Sequence, residues 1–179
     1  MADGKTPAVF FDRDGTIMQD ADYCSDPKDV DVFPFVPDSL RKLKGRGYKL
    51  IMVTNQSGIG RGYFTREQYE AVHAEVLRQI GERLIDATYV CPDPPGVESQ
   101  CRKPAPGMVL QGAREHNVDL SRSILVGDKE IDVQCAHNAG IKAIHVRTGF
   151  ETNTGDSAGD WVAEDFAEAT EIILTKFTR

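Results

Sequence analysis

No stretch of this 179-residue chain approaches the roughly 20 consecutive apolar residues that a bilayer-spanning helix requires, so no membrane partner is expected. Basic residues are the scarcer charge: 21 Lys and Arg stand against 28 Asp and Glu, for a net charge of -7. That balance repels nucleic acid, and no basic stripe marks a nucleic-acid footprint, so no such partner is expected either. Cysteine is sparse. Cys24, Cys91, Cys101 and Cys135 are widely spread and form no Cys-x-x-Cys pair. The polar segment 1–7 leads straight into an apolar run and does not read as an export signal. Reduced cysteines and a cytoplasmic location are therefore the expectation. Internal repeats, low-complexity tracts and linkers are absent too, so residues 1–179 are expected to form a single domain. Its 40% apolar content suffices for a sizeable core.

What the sequence does contain is an alternation. Short apolar runs at 7–11, 49–53, 123–126 and 142–146 each end in polar or glycine-containing turns, the pattern of strands buried on both faces. Between and after them, helical spacing marks 37–44, 65–84, 106–116, 130–139 and 166–177. Thr65 and Gln68 fit a capping box, and Gly45, Gly47 and Gly140 are stop signals. The glycine- and acid-rich segment 152–160 reads as a surface loop. Strand alternating with helix predicts an α/β fold: a three-layer, Rossmann-like parallel sheet with helices on both faces.

The residues that follow these runs carry the chemistry. Asp12 and Asp14 stand one residue apart after the first run. Carboxylates that close repel unless a cation lies between them, and a reversal at Gly15 lets both approach an oxygen-seeking ion such as Mg²⁺. Asp-x-Asp-Gly is equally an ordinary turn in which Asp14 caps the next loop. Thr54, Asn55 and Gln56 offer a hydroxyl and clustered backbone N–H groups to a phosphate, or simply cap a helix. Arg102 and Lys103, on a segment stiffened by Pro104 and Pro106, supply a bidentate fork and a point charge, or a solvated basic patch. Asp128 follows the third run and can complete an oxygen shell. The Asp12–Asp14 pair, the Thr54–Gln56 turn and Asp128 fall at the C-terminal ends of expected parallel strands, the edge where open α/β sheets bind ligands.

Phe10-Phe11-Asp12-Arg13-Asp14-Gly15-Thr16, Val53-Thr54-Asn55, Lys103 and Gly127-Asp128 with Asp132 resemble, in type and order, the haloacid dehalogenase superfamily of phosphohydrolases. Thr54-Asn55-Gln56-Ser57-Gly58-Ile59-Gly60-Arg61-Gly62 and Cys101-Arg102-Lys103-Pro104 are similar to its heptose bisphosphate phosphatase branch, which includes the histidinol phosphatases. The resemblance spans nearly the whole chain and is weakest after Gly149. It implies a haloacid dehalogenase-like fold and a Mg²⁺-dependent phosphatase. In it Asp12 is the nucleophile that forms an aspartyl-phosphate, and Asp14 is acid, then base. Thr54 and Lys103 stabilise the phosphoryl oxygens. The implied Mg²⁺ ligands are the Asp12 carboxylate, the Asp14 backbone carbonyl and Asp128. The implied substrate contacts are Arg13, Asp20, Ala21, Asp22, Tyr23, Asn55, Gln56, Ser57, Arg61, Arg102 and Lys129.

The expected substrate is a small phosphorylated sugar: the 7-phosphate of a heptose 1,7-bisphosphate, on the way to nucleotide-activated heptose, with Arg61 suited to a second phosphate. Histidinol phosphate is the alternative within enzymes. A phosphate-binding module without turnover is the non-enzymatic one, against which every implied catalytic position is intact. The intervals from Asp14 to Thr54 and from Thr54 to Lys103 leave no room for a large cap domain. Specificity then falls to the loops 20–27, 59–64 and 91–101, and a monomer is expected.

The chain departs from the branch in one place. Its members carry a zinc loop with three cysteines and a histidine before the Arg-Lys-Pro motif. Here Cys91 and Cys101 remain, while Asp93 and Ser99 fill the other two positions. That is a poor zinc donor set, so no zinc is expected. A Cys91–Cys101 disulfide is not expected in a reducing compartment. Asp132 either orients the metal shell or Lys129, or simply favours the helix dipole. His73, His116, His137 and His145 read as surface or packing residues, and Trp161 as a packing anchor.

Overall fold

The computed structural model of the chain describes residues 4–81, 83–150 and 155–177. The strands are β1 (Ala8–Phe11), β2 (Lys49–Asn55), β3 (Ala87–Cys91), β4 (Ile124–Gly127), β5 (Lys142–Val146) and β6 (Trp161–Ala163). They make one sheet in the order β3-β2-β1-β4-β5-β6, every pairing parallel. The helices are α1 (Val36–Gly45), the single turn α2 (Ser57–Gly60), α3 (Arg66–Ile80), α4 (Gly107–Glu115), α5 (Glu130–Asn138) and α6 (Phe166–Lys176).

Alternation along each strand divides the core in two, because successive side chains point to opposite faces. Val9, Phe11, Leu50, Met52, Ile124 and Val126 pack with α1, α3 and α6 on one face. Ala8, Phe10, Ile51, Val53 and Leu125 pack with α4 and α5 on the other. Strands buried on both faces carry no polar alternation, which is why β1, β2, β4 and β5 are legible as apolar runs. The sheet edges β3 and β6 are not. Their residues are mostly half-buried: Ala87–Cys91 is interrupted by Thr88, and Trp161–Ala163, though apolar, is only three residues long.

Thr65 caps α3 in the expected capping box with Gln68. The helix stops at Ile80 rather than 84, because Gly81 takes φ 114°, a left-handed-side backbone that ends it. Trp161 belongs to β6 and meets the Phe177 ring edge-on at 6.3 Å. Of the expected surface loop 152–160, residues 152–154 lie outside the described residues. No helix among the described residues is long and apolar enough to cross a membrane.

The chain leaves β1 for β2 and β3 on one side and returns to β4 on the other. The strand order thus reverses between β1 and β4, and ligands of such sheets bind at that switch point, beyond the carboxyl ends. Asp12 and Asp128 both leave the sheet there. Neither interval around Thr54 holds an inserted cap domain among the described residues.

Candidate active site

After Phe11 the chain folds back around the Arg13 carbonyl, which accepts the N–H groups of Thr16, Ile17 and Met18 at 3.2, 3.0 and 3.4 Å. Gly15, at φ +77°, permits the reversal. Asp12 is left at the sheet edge, its Oδ1 accepting the Arg13 N–H at 2.8 Å and lying 3.0 Å from Lys103 Nζ. Lys103 is buried. Its ammonium also donates to the Val53 carbonyl at 3.0 Å and to Asp132 Oδ1 at 2.7 Å. Burial by itself disfavours this charge, but Asp12 and Asp132 outweigh it and hold the Lys103 pKa above the ordinary lysine value. The second Asp132 oxygen accepts the Lys129 N–H at 3.1 Å, which fixes the first turn of α5.

Thr54 is the penultimate residue of β2, its hydroxyl buried and accepting from Gln56 Nε2 at 2.9 Å. The same Gln56 nitrogen reaches Asp14 Oδ2 at 2.8 Å. Asn55 clamps the Lys103 backbone in both directions, accepting its N–H at 3.0 Å and donating to its carbonyl at 3.2 Å.

Asp128 is enclosed. Thr16 donates to its Oδ1 at 3.1 Å, while its Oδ2 is buried without a hydrogen-bond partner. Carboxylate oxygens of Asp12, Asp128 and Asp132, all buried, lie within 4.8 Å of one another. Burial first, then the neighbouring carboxylates, raise Asp128 to about 8. Burial, opposed by Lys103, raises Asp12 to about 6. Three crowded carboxylates and an orphaned oxygen form a hard donor set that fits a divalent, oxygen-seeking cation such as Mg²⁺.

Asp12, Asp14, Asn55, Gln56 and Lys103 open on a cleft of about 210 Å³ lined also by Asp20, Asp22, Tyr23, Ser57, Arg102 and Lys129, with Cys24, Gly58 and Ile131, while Thr54, Asp128 and Asp132 are buried and do not line it. Lys129 Nζ stands 3.5 Å from Asp20 Oδ2 across it. Asp22 and Tyr23 hold consecutive left-handed conformations, φ 48° and 61°, at its rim. Ala21 and Arg61 are exposed and do not line the cleft. Arg61 lies 5.8 Å from the centre of the Tyr63 ring, and Tyr63 meets Tyr23 edge-on at 4.8 Å.

Arg13 departs from expectation. It does not face the cleft: it is 0% exposed and turned into the interior. Its Nε and Nη2 donate to the Asp14 carboxylate at 3.1 to 3.2 Å, and its guanidinium carbon lies 5.6 Å from the centre of the Tyr69 ring. The reason is local: the chain reverses directly after Asp12, which sends adjacent side chains in opposite directions. The cysteines depart too. Cys91 ends β3 and Cys101 precedes Arg102, their Cα atoms 5.5 Å apart, and a disulfide joins them. Cys24 and Cys135 are free thiols. Ser99 Oγ approaches both bridging sulfurs, at 3.6 and 3.5 Å, and donates to Asp93 at 2.6 Å.

Two further residues join the site. Asp132 is the buried partner of Lys103, a role its position four residues after Asp128 leaves open. His145, far from every motif in sequence, hydrogen-bonds the Asp128 carbonyl at 3.0 Å rather than serving only as packing. The available signal is a lone polar residue inside an apolar strand.

Comparison with known proteins shows the family to which the chain belongs. Residues 100–169 match the family model described as "HAD-hyrolase-like". The D-glycero-β-D-manno-heptose-1,7-bisphosphate 7-phosphatase of Yersinia pestis is 39% identical over 186 residues, 96% of this chain and 97% of that protein. The chain belongs to the haloacid dehalogenase-like phosphatases. The D-glycero-D-manno-heptose-1,7-bisphosphate 7-phosphatase of Thermosynechococcus vestitus is also similar to this phosphatase, at 37% identity over 94% of the chain and 96% of its own length. Among solved structures, the D,D-heptose 1,7-bisphosphate phosphatase of B. bronchiseptica, complexed with magnesium and phosphate, superposes with a TM-score of 0.84. It is 32% identical and covers 95% of this chain and 99% of its own.

Proposed function

We propose that this phosphatase removes the 7-phosphate of D-glycero-D-manno-heptose 1,7-bisphosphate, in the synthesis of nucleotide-activated heptose. The observation that carries this is near-full-length similarity to relatives bearing that name. Arg102 supports it: its guanidinium lines the cleft and is suited to a second phosphate.

In this reading the Asp12 carboxylate and Asp128, with the Asp14 backbone carbonyl, would hold Mg²⁺, which when bound would offset phosphoryl charge that otherwise repels the anionic nucleophile. Lys103, charged and 3.0 Å from Asp12, does the same from the protein side. An Asp12 oxygen attacks phosphorus, the bond from phosphorus to the ester oxygen breaks, and Asp14 gives its proton to the departing alkoxide. Water then attacks the aspartyl-phosphate, Asp14 takes its proton, and the Asp12 carboxylate leaves. Gln56, bonded to both Thr54 and Asp14, keeps the acid beside the phosphoryl site.

The test is a kcat/KM panel over heptose 1,7-bisphosphate anomers, histidinol phosphate and simple sugar monophosphates, with Mg²⁺ and with EDTA. A heptose bisphosphate leading by about a hundredfold or more, together with an inactive Asp12→Asn variant, supports the proposal. A lead by histidinol phosphate overturns the substrate, and activity persisting in Asp12→Asn overturns the nucleophile.

A further inference from the structure

His145 sits in β5 between the buried apolar residues Ile144 and Val146 and is 2% exposed. Strand register pairs it with Gly127, the residue before Asp128. Its ring bridges two segments. Nε2 lies 3.0 Å from the Asp128 carbonyl oxygen, and Nδ1 lies 2.8 Å from Ser157 Oγ. The Glu130 carboxylate stands 3.7 Å from Nδ1. A carbonyl only accepts, so Nε2 carries a proton and donates. Ser157 is itself held, accepting the Gly159 N–H at 3.1 Å and lying 3.3 Å from Glu130 Oε2. The imidazole is therefore anchored at both nitrogens.

The Asp128 carboxylate has little freedom of its own. Thr16 binds one oxygen. Gly15 and Gly149 press so close that a Cβ on either would lie 2.4 or 1.9 Å from Oδ2. Where the carboxylate points is consequently set by the backbone that carries it, and His145 grips that backbone at its carbonyl.

We propose that His145 is a positioning residue: by fixing the Asp128 carbonyl it aims the unpaired Oδ2 at the cation shared with Asp12. This rests on the reading of Asp12 and Asp128 as cation ligands. Residues standing behind a metal ligand typically change metal affinity 10- to 100-fold when replaced.

The test is Mg²⁺ binding by calorimetry on the purified protein without substrate, with the melting temperature of the metal-free protein as a folding control. His145→Leu is expected to weaken Mg²⁺ about tenfold, whereas His145→Gln, whose amide can donate to the same carbonyl, stays within about threefold of wild type. Ser157→Ala, which frees the far side of the ring, is expected to weaken binding a few-fold; it serves as the test should His145→Leu fail to fold. Wild-type affinity in His145→Leu, or in Ser157→Ala where that stands in, overturns the proposal, as does a Gln variant as impaired as the Leu variant. A wild-type protein that binds no Mg²⁺ overturns the cation reading itself, a result distinct from unchanged binding in the variants.

Discussion

Lys103 Nζ lies 2.7 Å from Asp132 Oδ1 and 3.0 Å from Asp12 Oδ1, so one buried ammonium joins the first turn of α5 to the end of β1. It also donates to the Val53 carbonyl at 3.0 Å, so the ammonium is held on three sides. Asp132 thereby does two things: it holds the lysine charged, and it holds the lysine next to the nucleophile.

Asp132→Asn should therefore lower kcat by about 100-fold while leaving KM little changed, because the group lost acts on the reacting centre. Steady-state kinetics at saturating Mg²⁺ checks this. An unchanged kcat would mean that Lys103 needs no partner beyond Asp12.

Arg13 predicts a different signature. Its buried guanidinium pairs with the partly exposed Asp14 carboxylate, and it makes no part of the cleft lining. Arg13→Met should destabilise the fold by about 2 kcal/mol, below the roughly 3–5 kcal/mol of a fully buried pair because water reaches Asp14. Urea denaturation measures the loss. KM should stay near wild type, and a raised KM with intact stability would restore Arg13 as a substrate contact.

Arg102 borders the cleft, with Nη1 donating to the Asp93 carbonyl at 3.0 Å. Arg102→Ala should raise KM for a sugar bisphosphate about tenfold or more, the loss of a charge-assisted contact. For a monophosphate of similar size, kcat/KM should stay within about twofold, since no second phosphate meets the arginine. Equal losses on both substrates would place Arg102 at the transferred phosphate.

His73 sets a pH dependence of stability. Burial first, then Arg13, depresses its pKa from 6.5 to about 4. A depressed value means that the folded state binds fewer protons than the unfolded one. The stability conferred by neutral His73 is therefore present above pH 6.5 and is lost as pH falls toward 4. His73→Phe should remove that slope. Between pH 7 and pH 5 the wild type should lose on the order of 1 kcal/mol more than the variant in urea denaturation. Parallel curves would show that His73 titrates normally.

The central strands were legible because burial on both faces writes a continuous apolar run, and β5 spans 142–146 as the sequence alone implies. β3 and β6 were not, because Thr88 interrupts the first and the second is only three residues long. Asp12, Asp14, Thr54 and Asp128 could be assigned to one edge because each stands at or just past the end of a legible strand, whereas Lys103, well beyond β3, was marked only by the family resemblance and its proline-flanked segment. Arg13 was placed wrongly, since spacing along the chain carries no information about which way a side chain leaves a tight reversal. The Cys91–Cys101 bridge was missed because it depends on how close two chain ends come, not on their separation in sequence.

Sequence by itself determined the parallel α/β fold, the strand ends that carry the acids, and the family, all of which are written in local pattern and residue type. Tertiary structure decided which groups touch: that Asp132 serves Lys103, that Arg13 faces inward to Asp14, and that His145 grips Asp128. The physical reason is range. Periodicity and turn chemistry act over a few residues, whereas these contacts form only when strand order and register bring distant positions to one edge of the sheet.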